Sequence, residues 1–206
     1  TFGASGIGSI LAMYIGGSLA VSLVILVYRY DQVKSMNVFQ SIKSRESSFL
    51  LNNIFFVIMG LTVIWGTLFP ILNEAIIGTK LSVGTGFYNT IAPWVMLSLV
   101  LLMGISIALR WGGTDSSDII NKLKYPISIA IISSPIVYIL GFTNITSIIG
   151  VSASIFAISI HGQDYLFDVK DFSRKTDTKT ISSMIHIIFN RQRRYGGYIV
   201  HLSMIL

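Results

Sequence analysis

From Ile7 to Tyr28 the chain passes without one charged side chain, and Arg29 closes the run. No other feature constrains the fold as much. A stretch of about 20 apolar residues can cross the hydrocarbon core of a bilayer as a helix. Inside lipid, only helices and closed barrels satisfy every backbone N–H and C=O. The pattern then repeats. Phe49 to Pro70 follows Arg45-Glu46 and is closed by the proline. Ile91 to Leu109 places Pro93 in its first turn, where a missing N–H costs little, and ends at Arg110-Trp111-Gly112-Gly113. Pro126 to Gly141 is shorter and interrupted by Pro135, which predicts a kink or a tilt. Ile145 to Ile160 is the fifth run, and a sixth starts at Tyr195 and reaches Leu206. The expected fold class is all-α: a polytopic transmembrane helical bundle of five full spans plus the start of a sixth. Residues 1–206 read as one membrane domain. Both ends lie inside apolar stretches, which predicts a fragment of a larger bundle, cut at both ends.

Composition agrees. Charged residues make up 12% of the chain and hydrophobic ones 52%, where a soluble domain carries about 25% charged. There is no cysteine, which excludes disulfides, thiol catalysis, Cys-based metal sites and thioether attachment to this chain. The net charge of +6 is explained by loops on one side of a bilayer and gives no reason to expect nucleic acid. Segments 29–48, 110–125 and 161–194 hold every basic residue of the fifteen except Lys80. The positive-inside rule puts those segments in the cytoplasm and Thr1 on the opposite side. Tyr28 and Trp111 then suit the inner interface, and Trp65 and Trp94 the outer one.

Two stretches between spans are informative. From Leu72 to Thr90 the chain is polar and Gly-rich, with Gly78, Gly84 and Gly86 around Ser82-Val83. This predicts an outer loop with tight turns, finished by Phe87-Tyr88 at the interface. From Thr180 to Asn190, Ile181, Met184, Ile185 and Ile188 recur at helical spacing ahead of Arg191-Gln192-Arg193-Arg194. That predicts an amphipathic helix at 180–190 lying on the inner leaflet.

An ionisable residue inside a membrane span is a functional-site hypothesis. Within the six spans that residue is His201, seven positions past Arg194 and so roughly 10 Å into its helix. A neutral imidazole there either hydrogen-bonds a neighbouring helix or ligates a metal. His161 ends the fifth span at the inner interface and reads as a solvated residue. His186 reads as the polar edge of the surface helix. Asp164, Asp168, Asp171 and Asp177 alternate with basic residues and read as a solvated loop of mixed charge. No His-x-x-x-His or clustered glutamate spacing builds a self-contained metal site. The Gly-rich start, Thr1 to Gly8, precedes a span rather than a soluble helix. It suits close backbone approach at an outer pocket better than a nucleotide loop.

Four stretches taken in order carry a resemblance. They are Thr1 to Gly8; Ser44-Arg45-Glu46 with Leu50-Leu51-Asn52-Asn53; Gly66-Thr67-Leu68-Phe69-Pro70 followed by Ser82-Val83-Gly84 and Phe87-Tyr88-Asn89; and Arg194-Tyr195-Gly196-Gly197-Tyr198-Ile199-Val200-His201-Leu202. Together the chain resembles the C-terminal part of the CcmF family, the large membrane subunit of the cytochrome c heme lyase. The resemblance implies a protein of the bacterial inner membrane, or of the mitochondrial one, with Thr1 on the periplasmic side. It implies a membrane heme lyase complex that receives heme from a chaperone, works with other cytochrome c maturation subunits and attaches heme to apocytochrome c. It implies two cofactors: a transient heme at a periplasmic site mostly upstream of this chain, and an intramembrane heme b that quinol reduces. On this resemblance His201 is an axial ligand of heme b. Arg193 and Arg194, at the inner interface, snorkel by default or are candidate contacts to its propionates, and Ser82, Gly84, Phe87 and Tyr88 are a candidate loop at the outer site. The Trp-rich motif and the partner histidines are implied to lie upstream of Thr1.

Two other classes fit the residues less closely. A transporter or proton-translocating subunit would use ionisable residues in several spans or broken helices at midplane. A structural subunit would use His201 as a helix–helix hydrogen-bond partner. A homologue dedicated to nitrite-reductase assembly stays open beside the general heme lyase.

Overall fold

The computed structural model describes residues 7–34, 41–79, 81–177 and 180–206. Among them are eight helices and no strand: α1 (Gly8–Tyr28), α2 (Tyr30–Val33), α3 (Arg45–Ile77), α4 (Thr85–Ala108), α5 (Ser116–Ile139), α6 (Ile145–Thr176), α7 (Thr180–Asn190) and α8 (Gln192–Ile205). The protein is an all-α integral membrane protein. Four helices are long and apolar enough to cross a bilayer: Ile10–Tyr28 of α1, α3, α4 and α6. The other two expected crossings are α5 and α8. The first turns of α5 are polar and carry Asp118, Lys122 and Lys124, and α8 is 14 residues long, which is roughly 21 Å against a core of about 30 Å.

Prolines mark the helix ends less than the spacing predicts. α3 continues past Pro70 to Ile77. Pro93 lies inside α4, which starts at Thr85, and α5 runs unbroken through Pro126 and Pro135. A proline inside a helix removes one N–H donor. In a membrane helix, neighbouring groups tolerate this.

Contacts divide the chain into two compact units, Thr1–Phe39 with Asn53–Val95 and Gln40–Asn52 with Met96–Leu206. In the first, α1 exposes apolar side chains along its length, Val24 at 68% and Val27 at 75% among them, as a helix immersed in lipid requires. Tyr88 of α4 lies over Gly66 of α3, so closely that a Cβ on Gly66 would fall under 3 Å from its ring. Gly66 is also the residue four before Pro70, whose carbonyl has lost its helical donor. Tyr88 fills the space that the missing side chain of Gly66 leaves. α3 ends where Gly78 turns to a φ of 76°, and Asn73 Nδ2 donates to the Thr79 carbonyl at 2.6 Å.

The candidate outer loop is shorter than expected. Ser82 and Gly84 are exposed in a non-helical segment, while Phe87 and Tyr88 belong to the first turn of α4. Gly84 does not adopt a positive φ and a Cβ there would meet open space. It is therefore not the strained turn that its neighbours suggested. Thr1 to Gly6, most of the Gly-rich start, and Lys80 lie outside the described residues.

In the second unit α5 and α6 form a helical hairpin. Gly141, at φ 101°, makes the turn, and the Asn144 side chain caps α6 by accepting from the Thr146 N–H at 2.9 Å. Midway, Ser134 and Ser152 hydrogen-bond at 3.0 Å. α4 packs against α6 where Gly104 leaves room for Phe156. Ile107, Ala108 and Ile160 form one buried cluster; Val169, Ile187 and Tyr195 form another. At one end the start of α3 is tied to the loop after α4. The Arg45 N–H donates to the Arg110 carbonyl at 2.9 Å, the Gly112 N–H to Glu46 Oε1 at 3.0 Å, and Phe49 stacks on Trp111. Glu46 precedes the apolar run that starts at Phe49.

α7 buries Ser183 and Ile187 against the unit and exposes Ile181, Ile185 and Phe189, at 77%, 60% and 67%. The exposed apolar edge is the one free to meet lipid, and His186 is exposed beside it.

Candidate functional site

The expected loop after Ile160 does not exist. α6 continues through it to Thr176 and ends on Asp177 in the left-handed region, at φ 48°. Apolar and polar faces exchange along this helix: its first half packs Ala153, Phe156 and Ala157, and its second half presents acids. His161, Asp164 and Asp168 are spaced three and four apart, so one face carries all three. On α8, Arg194, Tyr198 and His201 are spaced four and three apart. The two faces meet in antiparallel register. His161 pairs with His201, Asp164 with Tyr198, and Asp168 with Arg194.

At the apolar end, His161 Nε2 lies 3.2 Å from His201 Nδ1, and His161 Nδ1 lies 2.6 Å from the Ala157 carbonyl oxygen. His161 is 2% exposed and is held edge-on by the Tyr198 ring, centroids 4.9 Å apart. At the polar end, the Tyr198 hydroxyl donates to Asp164, and the Tyr195 hydroxyl donates to Asp168 at 2.8 Å. The Arg194 guanidinium contacts Asp164 and bonds Asp168 Oδ2 at 2.6 Å, with Arg191 3.2 Å from the same oxygen. These acids are thus structural partners and not a solvated mixed-charge loop. Because 161–176 is helical, one face of it turns inward against α8.

Beside His201 lies a cavity of about 590 Å³, lined also by Asn52, Ser106, Gly197 and the side of Tyr198, with Arg45 and Arg193 on its wall. Among the described residues His201 Nε2 has no hydrogen-bond partner. Neither Arg45 nor Arg193 makes an ion pair among them. A Cβ on Gly196 or Gly197 would meet open space. Arg194 also borders the cavity, but its charge is already committed to Asp164 and Asp168, so of the two arginines read as anion contacts it is Arg193 that remains unpaired. Two imidazoles cannot complete a metal site unaided, and no group of three or more His, Cys, Asp or Glu side chains able to hold a metal gathers among the described residues. Ser82, Gly84, Phe87 and Tyr88 belong to the other compact unit.

Of these residues, sequence reasoning singled out His201, Arg193 and Arg194, and it named the resembling stretch that includes Arg45. It missed the roles of His161, Asp164, Asp168 and Tyr198. The signal was available as two matching helical spacings, 161/164/168 and 194/198/201.

The fold and this seam define a polytopic helical membrane protein with a histidine pair packed between two helices beside a cavity. Sequence comparison supplies the particular likeness. The chain is 33% identical over 130 residues to the cytochrome c-type biogenesis protein CcmF of Escherichia coli, covering 63% of this chain and 19% of that protein. It is 28% identical over 130 residues to CycK of Rhizobium meliloti, covering 63% and 18%. It is 35% identical over 115 residues to CycK of Bradyrhizobium diazoefficiens, covering 55% and 16%. The resemblance read from the four stretches is therefore to the proteins that the comparison finds. The aligned region spans about a fifth of the length of these relatives. No protein-family model matches the chain, and no solved structure matches it.

Proposed function

We propose that this chain supplies one axial ligand, His201, to a b-type heme held within the bilayer of a cytochrome c maturation protein. The observation that carries the reading is an imidazole on the wall of a cavity whose Nδ1 is held by His161 while its Nε2 has no partner among the described residues. The residues fit the group as half of a bis-histidine site. A neutral nitrogen is what iron takes from histidine, Gly197 leaves room for a flat ring, and Arg45 and Arg193, which make no ion pair among the described residues, are cations suited to propionates. The second ligand is proposed to come from outside this chain. The heme, when bound, supplies reversible one-electron chemistry.

Likeness to CcmF and CycK supports the rest. The protein acts in cytochrome c-type biogenesis, as part of a heme lyase that takes heme from a chaperone, keeps its iron reduced at the expense of quinol and joins it to apocytochrome c. This chain, without cysteine, holds and orients. Its polar seam fixes His201 and its arginines receive anionic groups. The transporter reading finds little support, because Pro135 lies in an unbroken α5 rather than in a broken midplane helix.

A reduced-minus-oxidised spectrum of the protein purified from its own membrane should carry a low-spin b-type signal. Protein free of heme at full occupancy of other components would overturn the proposal. Sidedness follows from the basic residues, and the proposed membrane is the bacterial inner one. A reporter active only in the periplasm should work at Lys80 and fail at Lys122 and Lys175. Activity at Lys175 would reverse the arrangement.

A further inference from the structure

We infer that His161 is a positioning residue for His201: it sets the tautomer of that ring and keeps the ring's lone pair on Nε2, the nitrogen without a partner among the described residues. The inference deepens the heme reading and rests on it for the identity of the metal, though not for the tautomer.

Ala157, His161 and His201 form a chain of acceptors and donors. A carbonyl oxygen can only accept, so His161 Nδ1, 2.6 Å from the Ala157 oxygen, must carry the hydrogen. Ala157 is one turn back on the same helix and fully buried, so no water competes for that position. His161 is itself 2% exposed. The nearest carboxylate, Asp164, is already engaged by Tyr198 and Arg194. A charged imidazole would therefore be buried without a hydrogen-bonded counter-ion, which is costly, and the ring is neutral. A neutral ring with its hydrogen on Nδ1 has its lone pair on Nε2. That atom faces His201 Nδ1 at 3.2 Å, so His201 Nδ1 must donate. Neutral His201 then has its lone pair on Nε2, the nitrogen left unpartnered. Ala157, His161 and His201 act in series, and each link fixes the next.

Metal-bound histidines commonly donate their second N–H to an acceptor, which fixes the ring and raises its basicity. Here the acceptor is another histidine, held rigid by a third group and by the edge of Tyr198. It lies at a position that reads in sequence as the solvated end of a span.

The test uses the purified protein, unaltered and with His161→Leu or His161→Gln. Leucine removes both hydrogen bonds, whereas the glutamine amide oxygen can still accept from His201 Nδ1. Nitrogen-15 NMR of the heme-free protein should show His201 protonated on Nδ1 in the unaltered chain and in a mixture of tautomers in His161→Leu. Titration with hemin should show affinity about 10–100-fold weaker in His161→Leu, with a more positive midpoint potential because the ligand is less basic. His161→Gln should recover most of both, at a thermal midpoint matched to His161→Leu. His201 protonated on Nε2 in the unaltered protein would overturn the inference. So would an unchanged potential and hemin affinity in His161→Leu. Should the unaltered protein fail to bind hemin, the heme reading falls, and the nitrogen spectrum alone decides whether His161 sets the tautomer.

Discussion

His201→Ala is expected to lose the low-spin b-type signal entirely at matched protein level. Ligation by imidazole is directional and sets the spin state of iron, so removing the ring does not merely weaken the spectrum. His161 cannot take over. Its Nε2 is 3.2 Å from His201 Nδ1, it does not line the cavity that His201 borders, and its Nδ1 is held by Ala157. External imidazole should refill the vacated position and restore the signal. His201→Met should keep heme at an altered potential, since a thioether is also an axial ligand. The reduced-minus-oxidised spectrum decides. An unchanged low-spin signal in His201→Ala would leave His201 as a helix-packing residue and put the ligands elsewhere.

Arg194→Met is expected to cost about 3 kcal/mol of stability. Breaking a buried ion pair by removing one partner typically costs about 3–5 kcal/mol. Arg194 is 38% exposed, so solvent screens part of its charge and the lower end applies. The cost arises because Asp164, its side chain 17% exposed, is left with the Tyr198 hydroxyl but no cation, and Asp168, at 19%, is left with Arg191 as its cation among the described residues. Adding Asp168→Asn should therefore recover stability in the Arg194→Met background while costing stability in the unaltered protein. The coupling should be on the order of 1–3 kcal/mol. Reversible unfolding in mixed detergent would measure it. A change below about 0.5 kcal/mol in the single variant would mean that the ion pairs are of the weak surface kind.

The helices were legible wherever apolar length alone decides. α1, α3, α4 and the first half of α6 follow from runs that lipid requires to be helical. The second half of α6 was not, because its alternating acids and bases score as solvated when taken one at a time. Their meaning depends on α8, whose complementary residues lie some 30 positions later and which no local rule connects to them. Prolines misled for a related reason. Pro70 read as a stop and Pro93 as a first-turn residue, but α3 and α4 extend beyond them, because the surrounding helices override a single missing N–H. At the site, His201 was visible as an ionisable group in an apolar run. His161 was not, since its neighbours Gly162 and Gln163 are polar and its burial comes from packing against α8. Gly84 was read as a turn glycine from company rather than from conformation, and its backbone is ordinary.

The three rungs between α6 and α8 also act as a ruler. A helix that slipped by one residue would turn by about 100°, and all three pairings would fail together. Intermediate alignments are therefore not partly satisfied, and the elevation of His201 is set by Asp164 and Asp168, not by lipid. A bilayer that thins or thickens tilts its helices at modest cost. Here such a change would carry α6 and α8 as one piece, with the histidine pair at constant height above the charged rungs.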